Sequence, residues 1–296
     1  MSTRAKLILA ILTFLFYCHM ALAQNKYDAF TVKVSGKGQP VILIPGATCS
    51  GAEWDETIAH WNGKYQTHAI TIAGYAGTAP MAGGPYLDKV RTQIEQYIAD
   101  NKLKDVILVG HSIGGFLALS IGMDMNSSLS RIVVVDAMPF FAGANNPNAA
   151  DTFSEAQAKG ILDRYTKMDD QQLKASQMMI TKFMCLDSTR WDMIATWGQQ
   201  SDKRTMAYTM SEMLGKDIRK DIARIKVPVL VLAAYSAMPQ YPQFTRESVA
   251  KTFGDQYKAC TQCTVHVADG KTRHFIMYDN PLWFYKEMDT FLQKNN

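Results

Sequence analysis

The chain has 296 residues, 47% of them hydrophobic and 20% charged, a globular composition that excludes a disordered, collagen-like or polytopic membrane protein. Lys and Arg number 31 against 27 Asp and Glu, a net charge of +4 with no run of five like charges, so no nucleic-acid or acidic-lipid partner is expected.

The first residues have the pattern of an export signal. Arg4 and Lys6 give a basic start, Leu7 to Tyr17 is almost wholly apolar, and Ala21-Leu22-Ala23 supplies the small-x-small site of a signal peptidase. Residues 1–23 are expected to be cleaved before Gln24. The apolar stretch is shorter than the ~20 residues that cross a bilayer, so no stable membrane anchor is expected and the protein should be periplasmic or secreted. Loss of Arg4 and Lys6 leaves the remainder close to neutral.

Short β-rich apolar runs then recur at Phe30 to Val34, Val41 to Ile44, His68 to Ile72, Val106 to Val109, Ile132 to Val135, Val229 to Leu232 and Thr264 to Val267. Several are continuous rather than alternating, as strands buried on both faces are. The second runs into Pro45-Gly46-Ala47-Thr48, where Gly46 lets the backbone approach closely and the Ala47 N–H becomes a candidate donor to an oxyanion. Leu87, Val90, Ile94 and Ile98 recur at helical spacing after the third. Strands alternating with helices predict a mostly parallel, doubly wound α/β sheet.

The fourth run leads into Gly110-His111-Ser112-Ile113-Gly114-Gly115 and then the helical run Phe116 to Met125. A strand turning sharply into a helix at Gly-x-Ser-x-Gly lifts the serine hydroxyl clear of the sheet, which makes Ser112 the candidate nucleophile. The Ile113 N–H, at the start of that helix, is the second candidate oxyanion donor, because free N–H groups and the helix dipole both favour negative charge there. The fifth run ends in Asp136, a carboxylate able to orient a general base.

From 138 to 222 no convincing strand occurs, yet the segment is too long and apolar for a loop, so a helical cap is expected between core segments 24–137 and 223–296. Met168, Met178, Met179, Met184, Met193, Met206, Met210 and Met213 cluster there with interleaved aromatic residues. They either fill a small helical core or line an adaptable apolar pocket. The segment after the sixth run, Ala233 to Thr245, holds no carboxylate, which favours Asp136 over Glu247 or Asp269 as the acid. Of the six histidines only His274 lies in a loop after the last strand and before the closing helix, Leu282 to Leu292, where it can turn over the sheet edge as general base.

In an exported chain Cys49, Cys185, Cys260 and Cys263 remain, an even number that reads as disulfides. Cys260 and Cys263 form a CxxC that runs straight into a strand, unlike a redox motif, and a local bridge is expected. Cys49 follows the oxyanion loop and Cys185 falls in mid-cap, so a Cys49–Cys185 clamp is the complementary expectation. The alternative is a free buried pair. No second CxxC or histidine pair offers a zinc site, and neither metal nor cofactor is expected.

The pieces IPGATCSGAEWD, VGHSIGG, VVVDAMPF and HFIMYDNP are similar to those of the α/β-hydrolase superfamily, and residues 27 to 293 resemble its capped, bacterial serine esterase-like branch. The resemblance implies a helical lid between the sixth and seventh strands, with Ser112 as nucleophile, His274 as base and a site under the cap. Pro45 stands where the family often has histidine, and Ala73-Gly74-Tyr75-Ala76-Gly77 replaces a more charged turn. The expected function is a serine carboxylesterase acting on a small, largely apolar ester or thioester, with Asp136 holding the imidazolium. The alternatives are an aminopeptidase or amidase of the same fold, with Glu155 and Glu212 as candidate ammonium ligands, and a non-catalytic ligand sensor on a hydrolase scaffold.

Overall fold

The structure, a computed structural model, describes residues 26–144, 152, 154–238 and 240–293. The expected leader, 1–23, lies outside the described residues, as do 145–151 and 153 of the expected cap.

Seven strands among the described residues form one sheet. They are β1 (Phe30–Ser35), β2 (Pro40–Ile44), β3 (Gln66–Ile72), β4 (Val106–His111), β5 (Leu129–Val135), β6 (Val229–Ala233) and β7 (Cys263–Val267). The order is β1-β3-β2-β4-β5-β6-β7; β1 runs antiparallel to β3 and every other pairing is parallel. Each apolar run in the sequence is one of these strands. The central strands β4 and β6 are buried at every position, as continuous apolar segments covered on both faces must be. At the edge, β1 buries only Phe30 and presents Lys33 to solvent, which discourages pairing with another chain.

Helices α1 (Asp55–Trp61), α2 (Tyr86–Asp100) and α3 (Ile113–Asp124) punctuate the first half. Between β5 and β6 come α4 (Glu155–Thr166), α5 (Asp170–Met184), α6 (Trp191–Gln200) and α7 (Lys203–Leu214). The second half closes with α8 (Arg246–Tyr257), α9 (Ile276–Asp279) and α10 (Pro281–Gln293). The period of two along each strand sorts the core into two layers. Ile42, Ile44, Leu108, Ile132 and Val134 face α2, α3 and α8, whereas Val41, Leu43, Val109, Val133 and Val135 face Trp61 of α1 and Phe284 and Met288 of α10. Truncating a buried Ile or Leu of either layer to alanine costs about 2–5 kcal/mol, so both layers hold the sheet that presents the site.

Among the described residues the inserted helices follow the fifth strand, not the sixth, and precede β6. α5 opens on a capping box in which the Asp169 carboxylate takes the Gln172 N–H at 2.8 Å and the Gln172 side chain reaches back to the Asp169 N–H. α5 packs on α6, α4 packs on α7, and α7 rests against α2. There the Glu212 carboxylate accepts the first-turn N–H groups of Tyr86 and Leu87 at 2.8 and 2.7 Å, satisfying donors that a helix start leaves open.

Candidate active site

Ser112 sits between β4 and α3 with φ 54° and ψ −121°, a left-handed backbone that no strand or helix would impose. Such a conformation costs about 1–3 kcal/mol at a non-glycine residue and persists only where the surroundings over-determine it. They do so here through crowding. A Cβ at Gly110 would collide with the Gly114 carbonyl, and one at Gly114 with the Ile44 carbonyl, so only glycine lets the chain turn this tightly. The Ser112 N–H is fixed to the Val135 carbonyl at 2.9 Å, and the side chain is left facing a cavity at the C-terminal ends of the strands.

His274 lies in the loop after β7 and lines the same cavity. Its Nδ1–H donates to Asp136 Oδ2 at 2.6 Å, while Asp136 Oδ1 accepts the Ala234 N–H at 2.9 Å. Asp136 has φ 45°, a second left-handed residue at a strand end, and the bend swings its carboxylate across β6 to the imidazole. The structure thus brings Asp136 and His274 together and sets Ser112 and His274 on one cavity wall. Among the described residues no hydrogen bond joins the Ser112 hydroxyl to His274. Such contacts are often loose before substrate binds. Glu247 is exposed on α8, and Asp269 faces solvent beside Arg246, so neither reaches the imidazole.

The N–H groups of Ala47 and Ile113 donate to no described residue, and Ala47 lines the cavity beside Ser112. The loop carrying Ala47 is held from below by Glu53, a residue not singled out from the sequence. Glu53 Oε2 accepts the Gly46 N–H at 3.0 Å, and its Oε1 lies 2.9 Å from His111 Nδ1 with both side chains sealed from solvent. Burial alone would push the His111 imidazolium down; the Glu53 carboxylate outweighs it, and the pKa is raised above the ordinary histidine value. With both ring nitrogens protonated, His111 Nε2–H donates to the His274 carbonyl at 3.0 Å. One buried ion pair therefore ties the Gly46 turn to the loop of His274. The signal available in the sequence was a lone carboxylate in the GAEWD turn and a histidine next to the serine.

The cavity has a volume of about 120 Å³ and is lined by Tyr75, Tyr165, Ile180, Met184, Ile194, Met206, Met210 and Phe275 together with Thr48, Gln177 and Thr181. No Lys, Arg, Asp or Glu among the described residues lines it. The methionines divide accordingly: Met184, Met206 and Met210 line the cavity, Met213 is buried in the core, and Met179 is exposed. Glu155 and Glu212, the candidate ammonium ligands, lie instead in a separate hollow of about 660 Å³ at the start of α2. There Glu155 accepts the Tyr208 hydroxyl and Glu212 caps α2. No group of three His, Cys, Asp or Glu among the described residues could hold a metal ion.

The cysteines depart from expectation at one pair. Cys260 and Cys263 are joined, but Cys49 and Cys185 are free and buried rather than bridged. Each thiol is held beside its own carboxylate. Cys185 Sγ–H donates to Asp279 Oδ1 at 3.4 Å, and the same oxygen takes the Leu186 and Asp187 N–H groups. Burial, reinforced by the neighbouring Glu53 for Cys49 and Asp279 for Cys185, pushes both thiols up and keeps them protonated. Asp279 Oδ2 also accepts the Arg273 N–H at 2.8 Å, so this carboxylate, not a disulfide, fastens the end of α5 to the His274 loop.

A model described as the alpha/beta hydrolase family matches residues 41–287. Among curated proteins the chain is similar to a pimeloyl-[acyl-carrier protein] methyl ester esterase of Vibrio cholerae, 26% identical over 212 residues that cover 68% of this chain and 76% of the relative. A protein of the same name from Vibrio atlanticus is 25% identical, covering 69% and 79%. Among solved structures, a hydrolase from Pseudomonas aeruginosa superposes with TM-score 0.72 at 12% identity, covering 90% of this chain and 94% of the other. An esterase from Exiguobacterium antarcticum superposes with TM-score 0.69 at 16% identity, covering 90% and 98%.

Proposed function

The chain belongs to the alpha/beta hydrolase family, and from that premise we propose that it is an exported serine hydrolase that cleaves a small, neutral carboxylic ester or thioester through an acyl-enzyme at Ser112. The observation that carries this reading is the convergence on one cavity of a serine in a strained strand-to-helix turn and a histidine whose Nδ1–H is held by Asp136 at 2.6 Å.

In this mechanism Ser112 Oγ attacks the ester carbonyl carbon while His274 Nε2 takes the hydroxyl proton. The carbonyl oxygen becomes an oxyanion, to which the Ala47 and Ile113 N–H groups donate. Asp136 stabilises the imidazolium, which then protonates the departing alkoxide or thiolate as its bond to carbon breaks. Water, deprotonated by the same imidazole, attacks the acyl-enzyme and releases the acid with Ser112 restored. The cavity volume of about 120 Å³ and its uncharged lining support a small neutral substrate over one carrying an ammonium group. The names of the curated relatives support ester over amide chemistry, and the basic and apolar leader supports export.

Labelling with a fluorophosphonate, peptide mapping and turnover of p-nitrophenyl esters of increasing acyl length test the activity. The modified residue is expected to be Ser112 and the rate to fall with the longer acyl chains. Labelling without turnover of any ester would favour a ligand sensor. Fractionation of cells expressing the whole chain tests export, with Gln24 the expected new N-terminus.

A further inference from the structure

Two polar side chains on the cavity wall have no hydrogen-bond partner among the described residues. Gln177 and Thr181 are one helical turn apart on α5, 6% and 3% exposed respectively, and both line the cavity that holds Ser112. Neither the Gln177 amide nor the Thr181 hydroxyl hydrogen-bonds to any described residue. Buried polar side chains are ordinarily satisfied, and a helix packed against an apolar core would be more stable with leucine or methionine at 177. The space around the amide is also kept clear. A Cβ at Gly198 of α6 would collide with Gln177 Oε1, so the glycine is what lets the amide rest against the neighbouring helix. The rest of the α5 and α7 wall, Ile180, Met184, Met206 and Met210, is apolar.

We propose that Gln177 and Thr181 form a polar subsite for a second oxygen function on the substrate, so that the preferred ester carries a neutral carbonyl or hydroxyl oxygen beyond the scissile carbonyl. The chemistry follows from the donors. A glutamine amide and a threonine hydroxyl a helical turn apart on one cavity wall can each donate a hydrogen bond, and a carbonyl oxygen with two lone pairs can accept both. The uncharged lining disfavours a carboxylate, whose charge would be buried without a cation, and a plain alkyl chain would leave both donors unpaired in a closed complex. This subsite rests on the reading of Ser112 as the acyl-transfer nucleophile for its catalytic consequence, but binding alone reveals it.

The experiment compares p-nitrophenyl pentanoate with p-nitrophenyl 4-oxopentanoate in the wild type, Gln177→Met and Thr181→Val. It compares hexan-2-one with hexane-2,5-dione, whose carbonyls have the spacing of the oxo-ester, as non-hydrolysable ligands by calorimetry. The wild type is expected to favour the oxo-ester by about tenfold or more in kcat/KM and the diketone by a similar ratio in Kd. Gln177→Met removes most of that preference, read as the ratio of kcat/KM for the two esters within each variant, and Thr181→Val removes part of it. Unfolding curves for both variants show that each retains the fold. Turnover or binding without oxygen discrimination in the wild type overturns the subsite, as does an equal loss on both esters in Gln177→Met. Discrimination between the ketones without turnover of either ester supports the subsite and overturns the esterase reading instead.

Discussion

Glu53 and His111 face each other at 2.9 Å with their side chains out of contact with solvent, and each also binds a different loop of the site. Glu53 takes the Gly46 N–H and His111 donates to the His274 carbonyl, so the candidate oxyanion loop and the candidate base share one buried ionic anchor. Removing one partner of such a pair leaves the other charged in a medium that does not solvate it, at a cost of about 3–5 kcal/mol. Glu53→Gln is therefore expected to lower the unfolding free energy by that order in urea titrations and to reduce kcat more than it raises KM. A loss under about 1 kcal/mol would show that the pair does not anchor the loops.

The same pair sets a pH dependence whose sign follows from His111. A histidine in the unfolded chain titrates near 6.5, and in the folded protein the neighbouring carboxylate raises that value. The folded state binds the proton more tightly, so the contribution of His111 is complete below about pH 6.5 and is lost as pH rises through the folded value. Stability is thus expected to decline as pH rises above about 6.5, with a shallower decline in Glu53→Gln. Parallel slopes in the two proteins would count against the assignment.

Ser112→Ala and His274→Ala are each expected to reduce ester turnover by several orders of magnitude with the fold intact, because nucleophile and base act as a unit. Asp136→Asn should cost roughly 10² to 10⁴ in kcat through loss of the charge that orients the imidazole, and Glu247→Gln should cost nothing. The decisive measurement is kcat on a common p-nitrophenyl ester for all four variants. Turnover near the wild-type rate in Ser112→Ala would remove the acyl-enzyme mechanism.

The fold was legible because its strands are runs of branched aliphatic residues and its tightest turn needs glycine on either side of one serine, at 110 and 114, a pattern few other structures require. Asp136 was legible from what its surroundings lack, since no carboxylate occurs between Ala233 and Thr245. Glu53 was not, because an acid ahead of a helix looks like an ordinary dipole partner, and only the packing of that turn beneath Gly46 shows its work. Gln177 escaped for a related reason. Helical periodicity puts it on the inward face with Leu173 and Thr181, but whether an inward amide finds a protein partner depends on a neighbouring helix far along the chain. The cysteines show the same limit: an even count in a chain expected to be exported suggests pairing, while the direction of each thiol is set by tertiary packing.

Thiol chemistry gives the final prediction. With Cys260 and Cys263 the only bonded cysteines among the described residues, iodoacetamide added to denatured, unreduced protein should modify Cys49 and Cys185 fully and Cys260 and Cys263 not at all. Native protein should resist modification at both free thiols, since each is buried and beside a carboxylate that disfavours the thiolate. Reduction opens a loop with a sequence separation of just 3, whose closure contributes about 2 kcal/mol in the chain-entropy picture, so melting should shift by a few degrees and turnover should be unchanged. The bond lies at the start of β7, away from the cavity, which is why activity is spared. A large loss of turnover on reduction, or unmodified Cys49 and Cys185 in the denatured chain, would restore the clamp between the oxyanion loop and the end of α5.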